Sequence, residues 1–373
     1  MKEIVVFYLC FFSFAVIFSF VINKLFLKAY HNFGQKADGD QIRWDNRPKP
    51  LLGGFSFYIL FLFSISIYAI VFDNDFFDIK IAGVLFAVSF GFLLGWGDDG
   101  YGTNPFLKFL GQFLCANILA GTGLIIQVTE VEVFDYMFTI FWIIGIMNSI
   151  NMLDNMDGIT CVVSISIILS SLGICLLDNS LHVIYPAMLI GVVGSLFGFL
   201  YFNIHPSKMY MGDTGSQFLG VFLGALSIPI LWSHRDPSGN MLQMKQFILP
   251  ALVFLIPIID TATVFIRRIS NKQSPFVGGK DHTTHHLAFI GIKDRYVMLI
   301  FWGASLLCSI LSIVCFLYMD IWHLGYSLLV FAFCFFVFIL TQITYNKGKR
   351  INDLCKKYNV IKLRTIRIKK KNA

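Results

Sequence analysis

The sequence predicts an all-α integral membrane protein, a polytopic bundle of about eleven transmembrane helices. Two observations support this fold class. Of the 373 residues, 57% are hydrophobic and only 14% are charged, whereas a soluble domain carries about 25% charged residues. The apolar residues also form runs that approach the roughly 20 residues needed to cross a bilayer as a helix. Lipid is therefore the expected solvent for most of the chain.

The candidate spans follow one another along a single membrane domain, 1–344, which a basic tail, 345–373, follows. The first run is longer than the apolar region of a signal peptide and lacks a basic leader, so it is predicted to be a membrane helix. Lys108 and Asn148 interrupt the fourth and fifth runs. The predicted spans are 4–22, 53–72, 78–95, 106–127, 137–153, 158–177, 183–203, 215–232, 247–266, 296–317 and 321–344.

Basic residues lie mostly on one side of these spans. The segments 23–52, 267–295 and 345–373, together with Lys208, hold 24 of the 29 Lys and Arg residues. Cytoplasmic loops carry such an excess, so the amino terminus is expected outside and the carboxyl tail in the cytoplasm. The tail is interpreted as an orientation signal that contacts anionic membrane lipids; no nucleic-acid partner is expected.

Polar clusters gather at helix ends on the predicted inner side. Asp98 and Asp99 are adjacent at the end of the third span. Neighbouring carboxylates repel each other and usually need a cation, so they favour a metal or phosphate-transfer role over two solvated loop acids.

A second cluster places a polar residue at every third position inside an apolar run: Asn148, Asn151, Asp154 and Asp157. On an ideal α-helix these side chains would drift around the axis, so a tightened helix end or a loop is needed to bring them together. The spacing favours a functional site over a merely polar helix end.

A third cluster, 211–216, opens the eighth span and includes Asp213. A helix start presents free N–H groups suited to phosphate, and a carboxylate beside phosphate suits Mg²⁺. The alternative is a Thr or Ser helix cap.

Two further clusters lie in basic inner loops. His282, His285 and His286 lack the companions of a zinc site, and with Arg268 they suit an anionic ligand better. Arg47 belongs to a Pro-rich entry to the second span, which is either a stiff turn or a further cationic contribution to the site.

Together these motifs resemble the polyprenyl-phosphate sugar-1-phosphate transferases, a family of bacterial membrane enzymes. The resemblance runs from Pro48 to His286 and rests on the order of the motifs. The chain departs from the family pattern at four positions. Asp45 stands where members often have His, Asn155 where they have Gly, and in the loop pattern His-x-His-His-Arg-Leu, Thr284 and His286 replace the second His and the Arg.

The resemblance implies transfer of a sugar-1-phosphate, with N-acetylglucosamine-1-phosphate favoured, from a UDP-sugar to polyprenyl phosphate with release of UMP. It implies a site on the cytoplasmic face of the bacterial inner membrane that uses Mg²⁺, with Mn²⁺ as an alternative. Asp98, Asp99 and Asp213 are the expected catalytic and metal residues. The expected substrate-binding residues are Arg47, Lys108, Asn148, Asn151, Asp154, Asp157, Arg268, His282, His285 and His286.

Other functions stay open at this point. A pentapeptide-type transferase of the same family is the nearest alternative, although its His loop differs. A transporter would also explain eleven helices but would be expected to carry ionisable residues near mid-membrane. An aspartic protease is suggested by 213–216 but lacks a second such motif. The sugar and the oligomeric state are open, with a homodimer as one option.

Overall fold

The computed structural model describes residues 2–33, 49–72, 78–129, 131–178, 181, 184–233, 244–274 and 279–371. These residues form helices, turns and short 3-10 segments, and no strand occurs within them. The α-helices are α1 Lys2–Phe33, α2 Gly53–Phe72, α3 Ile79–Tyr101, α4 Pro105–Gly121, α5 Glu132–Leu153, α6 Ile159–Leu177, α7 Ile184–Asn203, α8 Gly212–Leu231, α9 Ile248–Val253, α10 Leu255–Ser270, α11 Thr283–Phe289, α12 Asp294–Leu317 and α13 Leu324–Lys371.

The prediction of a polytopic membrane bundle is confirmed. In the described ranges, nine helices are long and apolar enough to cross a membrane. The ninth predicted span is a pair of shorter pieces, because α10 bends by 85° from the segment that ends with α9. The fourth is the 17-residue helix α4, shorter than the predicted 106–127.

Several boundaries differ from the prediction because a helix need not end where its apolar run ends. Helix α1 continues past residue 22 to Phe33, and α5 begins at Glu132, five residues before the predicted span. Helix α8 includes Gly212 and Asp213 in its first turn. Helix α13 runs without a break through residue 344 and continues to Lys371.

Helix α8 lies at the centre of the bundle and packs against α2, α3 and α5. Glycines allow α3 to approach it closely: a Cβ atom on Gly95 would lie 2.2 Å from the Asp213 carbonyl oxygen. Phe218 and Phe222 stack on one face of α8 and meet Phe61 of α2 edge-on. This aromatic core fixes the start of α8 relative to the ends of its neighbours, where the polar motifs lie.

Candidate active site

The turn between α3 and α4 holds a carboxylate against a lysine. Gly102 ends α3 with a φ of 61° and donates its N–H to the Asp98 carbonyl, and Asn104 then caps α4. One oxygen of the Asp98 carboxylate accepts hydrogen bonds from Thr103, at 2.8 Å from the amide nitrogen and 2.6 Å from the hydroxyl. The other oxygen lies 2.8 Å from the Lys108 ammonium.

The same ammonium reaches a second carboxylate. Lys108 Nζ lies 3.3 Å from Asp213 Oδ1 at the start of α8. Asn151, near the end of α5, donates from its amide to Asp213 Oδ1 and to Ser216 Oγ, the latter at 2.8 Å. Asp98, Lys108, Asn151 and Asp213, here called the carboxylate–lysine cluster, therefore join the ends of four helices at one point.

Asp99 does not join this cluster. Its carboxylate caps α8, accepting hydrogen bonds from Asp213 N at 2.9 Å, Thr214 N at 2.8 Å and Thr214 Oγ1 at 2.7 Å. Gly212 makes room for it with a φ of 71°, since a Cβ atom there would lie 2.4 Å from Asp99 Oδ2. The N–H groups that the sequence predicted for phosphate are thus occupied by a carboxylate of α3.

A layer of amide side chains lies beside the cluster. Gln112 and Asn148 exchange hydrogen bonds of 2.8 and 3.3 Å, and Gln112 also donates to Gln217 at 3.2 Å. Each follows or precedes a cluster residue by three or four positions on its own helix, which is the spacing of neighbours on a helix face. Asn148, predicted to bind substrate, belongs to this layer.

Asp157 points to a different part of the same face. It accepts hydrogen bonds from Ser207 N at 3.0 Å and Ser207 Oγ at 2.7 Å, and His205 Nδ1 lies 2.9 Å away. Lys49 Nζ lies 3.9 Å from it and donates to Ser207 at 3.0 Å. Asp154 lies in the turn that follows α5. Asn148, Asn151 and Asp157 therefore bind different partners instead of converging on one.

The entry to α2 runs beside the start of α8. Tyr210 N donates to the Pro50 carbonyl at 3.0 Å, and Gly54 N donates to the Met211 carbonyl at 3.2 Å. Gly54 lies so close to α8 that a Cβ atom would come within 2.4 Å of Gly215 N. The predicted Arg47 lies outside the described residues.

Two carboxylates hold the His loop, the segment that contains His282, His285 and His286. Asp260 of α10 accepts hydrogen bonds from His282 Nδ1 at 2.8 Å and Thr283 N at 2.9 Å. Arg268 binds both oxygens of Asp281, each at 2.7 Å. Burial works in the opposite direction, but the hydrogen bonds and charge of Arg268 lower the pKa of Asp281.

The loop also touches the turn after α5. Thr284 donates to Asn155 Oδ1 at 2.6 Å, which joins two of the positions where the chain departs from the family pattern. Burial, together with the electrostatic effect of the neighbouring His282, lowers the pKa of His285 to about 3. Burial also lowers the pKa of His286 to about 4. Both imidazoles are therefore neutral at physiological pH.

The predicted metal set does not assemble as three carboxylates. Within the described ranges, no group of three or more His, Cys, Asp or Glu residues could hold a metal ion. Asp98 and Asp213 nevertheless converge on one cation, the Lys108 ammonium. Two carboxylates are enough for Mg²⁺ when substrate phosphates and water complete its coordination, so this pair fits the ion, whereas the Asp99 carboxylate already caps α8.

The sequence assigned no site role to four residues that contact the motif side chains. Asp281, Asn155 and Lys49 lie inside the motifs themselves, whereas Asp260 lies outside all of them. Asp260 had one usable signal, since it is a carboxylate inside an apolar run eight residues before Arg268. Asp281 directly precedes His282 and could have been paired with a nearby cation.

Comparison with known proteins supports the resemblance. Residues 81–230 match the family model of glycosyl transferase family 4. This region contains the carboxylate–lysine cluster and the Asn155 turn, but not the His loop. This match is to part of the chain, and it lies within a multi-pass integral membrane protein.

Three relatives show which enzymes the chain is similar to. The chain is 34% identical over 231 residues to a probable undecaprenyl-phosphate N-acetylglucosaminyl 1-phosphate transferase of Bacillus subtilis, covering 60% of this chain and 62% of that protein. It is 28% identical over 284 residues to a decaprenyl-phosphate N-acetylglucosaminephosphotransferase of Mycolicibacterium smegmatis, covering 68% of each chain. It is also 28% identical over 342 residues to a phospho-N-acetylmuramoyl-pentapeptide-transferase of Bacillus pumilus, covering 83% of this chain and 98% of that protein.

Proposed function

We propose that this protein transfers a sugar-1-phosphate, N-acetylglucosamine-1-phosphate being favoured, from a UDP-sugar to polyprenyl phosphate and releases UMP. The observation that carries the proposal is the carboxylate–lysine cluster, where Asp98 and Asp213 share Lys108 at the ends of α3, α8 and α4. A site at the ends of membrane helices can receive a lipid phosphate from the bilayer and a nucleotide from water. The names of the relatives agree with this reaction.

The reaction forms one phosphorus–oxygen bond and breaks another. An oxygen of the lipid phosphate attacks the sugar-bearing phosphorus, and the bridging oxygen leaves with UMP. A general base is unnecessary because a phosphomonoester with a second pKa of about 6 is mostly ionised at neutral pH. The main requirement is to offset repulsion between two anions.

The cluster can meet that requirement. Asp98 and Asp213 would hold Mg²⁺, which supplies positive charge at the reacting phosphates. Lys108, released from one or both carboxylates, provides a second cation at the same place. Asn151 orients Asp213 by its side-chain amide, and Asp99 fixes the first turn of α8.

The test uses purified full-length protein, polyprenyl phosphate and UDP-N-acetylglucosamine labelled in the sugar, with Mg²⁺. The expected products are a labelled lipid and free UMP in equal amounts, and none of either without Mg²⁺. UMP release that did not depend on the lipid acceptor would contradict the proposal. Uptake of labelled nucleotide sugar into vesicles without lipid product would instead indicate a transporter.

The pentapeptide-transferase reaction is a second candidate, because the alignment covers 98% of the Bacillus pumilus relative. The two reactions differ only in the sugar that the UDP carries. A panel that includes UDP-N-acetylmuramoyl-pentapeptide separates them by the ratio of kcat/KM values. The sugar nucleotide with the largest value identifies the substrate.

The proposed site faces the cytoplasm of a bacterial inner membrane, an assignment that rests on the excess of Lys and Arg in the loops beside it. Cys355 offers a direct check, since it is an exposed free thiol on the part of α13 beyond residue 344. A membrane-impermeant maleimide is expected to label it in inside-out vesicles but not in sealed right-side-out vesicles. The reverse pattern would invert the topology.

A further inference from the structure

The part of α13 around Tyr345 and Gly348 lies against the His loop. His286 of α11 is 3% exposed, and its ring centroid lies 4.0 Å from that of Tyr345. Tyr345 is itself only 5% exposed. A residue predicted to bind substrate is therefore packed against the last helix of the chain.

A glycine permits this contact. A Cβ atom on Gly348 would lie 2.6 Å from the His286 carbonyl oxygen and 2.7 Å from the His286 Cβ. Because real Cβ atoms do not come closer than about 3.0 Å to such atoms, any larger residue must push α11 and α13 apart. Gly325, near the start of the same helix, has no such neighbour within 4 Å.

The contact surface on α13 is anchored to α10. The Arg267 guanidinium lies 3.8 Å from the Tyr345 ring centroid and donates to Gln342 at 2.7 Å and Asn346 at 3.2 Å. Gln342 in turn donates to Thr263 at 2.8 Å. Arg267 therefore binds α13, and the adjacent Arg268 binds Asp281 of the His loop.

Helix α11 is only seven residues long and is held from three directions. Asp260 of α10 binds its start, and Asn155 binds Thr284 from the turn after α5. Tyr345 and Gly348 cover its last turn. A helix this short has little stability of its own, so its position depends on these contacts.

We propose that α13 is a positioning element of the site, in which Tyr345 and Gly348 seat α11 and thereby place His282, Thr284 and His285. His286 serves as the anchor of this contact and does not touch substrate. The structural part of the inference stands by itself, and its kinetic consequence rests on the proposed function. A displaced α11 weakens binding of the UDP-sugar, while the lipid phosphate, held at the carboxylate–lysine cluster, is affected less.

Four full-length variants test the proposal. Gly348→Ala introduces the overlap with His286, and Gly325→Ala adds the same methyl group to open space on the same helix. Tyr345→Ala removes the ring that covers His286, and Tyr345→Phe retains it.

The first readout is hydrogen–deuterium exchange of the α11 amides in detergent, such as those of His286 and Ile290, which bond within the helix. The second is the KM of each substrate. Gly348→Ala and Tyr345→Ala are expected to speed exchange of α11 and to raise the KM for the UDP-sugar about tenfold. Gly325→Ala and Tyr345→Phe should keep the wild-type exchange and both KM values.

The outcomes separate the two proposals. If wild-type protein transfers no sugar phosphate, the proposed function fails, and exchange alone still decides the role of α13. Wild-type exchange of α11 in Gly348→Ala would overturn the inference. If Gly348→Ala does not fold, Tyr345→Ala decides instead: exchange and KM values equal to those of Tyr345→Phe would overturn it. An equal rise in the KM of both substrates would contradict the specific effect on the nucleotide.

Discussion

The carboxylate–lysine cluster and the His loop lie on the same face but arrange their charges differently. In the cluster, one cation serves two carboxylates from different helices, since Lys108 lies 2.8 Å from Asp98 and 3.3 Å from Asp213. At the His loop, two basic groups each have a different carboxylate partner: His282 binds Asp260, and Arg268 of α10 binds Asp281.

The groups of the cluster can therefore exchange partners, whereas each paired group at the His loop is held by one partner. Removing one member of a buried pair leaves an uncompensated charge and is strongly destabilising, so the pairs of the His loop are suited to hold its shape. If the shared lysine moves towards a substrate phosphate, the two carboxylates become free to bind another cation. We therefore expect substitutions in the cluster to lower kcat and substitutions in the His loop to weaken the positioning of the UDP-sugar.

The largest effect is expected at the shared carboxylate. Asp213→Asn removes a charge that Lys108 and the proposed Mg²⁺ both need, so kcat should fall by about 10²- to 10³-fold. The lipid-transfer assay with saturating substrates measures this. Asp320→Asn, at an exposed acid in the loop before α13, is the matched control and should retain the wild-type rate. Full activity of Asp213→Asn would remove the cluster from the mechanism.

A smaller effect is expected at Asp99, which caps α8 and does not bind the shared cation. Asp99→Asn keeps one carbonyl oxygen for the cap, and even a lost cap costs only about 1 kcal/mol, so kcat should fall by no more than about fivefold. Its dependence on Mg²⁺ concentration should match that of the wild type. A raised Mg²⁺ requirement, like the one expected for Asp213→Asn, would show instead that Asp99 is a ligand.

The comparison also explains what the sequence could predict. The cluster was predictable because its members are charged or amide residues within or beside apolar runs, which stand out in the sequence of a membrane protein. The sequence predicts Lys108 and Asp213 in one site, and the two side chains lie 3.3 Å apart. The separate role of Asp99 could not be predicted, because adjacent residues on a helix point in different directions and only the packing of α3 on α8 decides which partner each one meets.

The contacts of the His loop were harder to predict from the sequence, for a physical reason. Its histidines form a visible cluster, but their partners, Asp260 and Tyr345, lie far away in sequence, and only the fold brings them close. Two departures from the family pattern, Asn155 and Thr284, looked unrelated in the sequence and form one hydrogen bond in the structure. The polytopic bundle was predictable from apolar runs, but about eleven spans were predicted where the described residues contain nine, or ten if the pair bent by 85° at α10 counts as one.

The bond between Asn155 and Thr284 supplies the next test. A double-mutant cycle of Asn155→Ala and Thr284→Val, measured as kcat/KM for the UDP-sugar, should show a coupling energy of about 1 kcal/mol. The double variant would then be hardly worse than either single variant. Asn155→Ala combined with Ser13→Ala, whose hydroxyl bonds only to its own helix at Leu9, should be additive. Additivity in the first cycle would mean that the contact contributes nothing.

A change of pH is expected to act on stability and least on the chemistry, because the two histidines of α11 are neutral at physiological pH. The pKa is lowered from 6.5 to about 3 in His285 and to about 4 in His286. Below about pH 6.5 the unfolded chain takes up protons at these imidazoles while the folded chain does not, so the free energy of unfolding should decrease as the pH falls towards 4.

Thermal melting in detergent should show a constant Tm between about pH 7 and 8 and a declining Tm below about 6.5. His286→Phe should reduce that decline, and His323→Phe, at an exposed site before α13, should leave it unchanged. If the decline survived in full after substitution of both His285 and His286, other groups would account for it and the histidines would have to be charged, or solvated, in the folded protein.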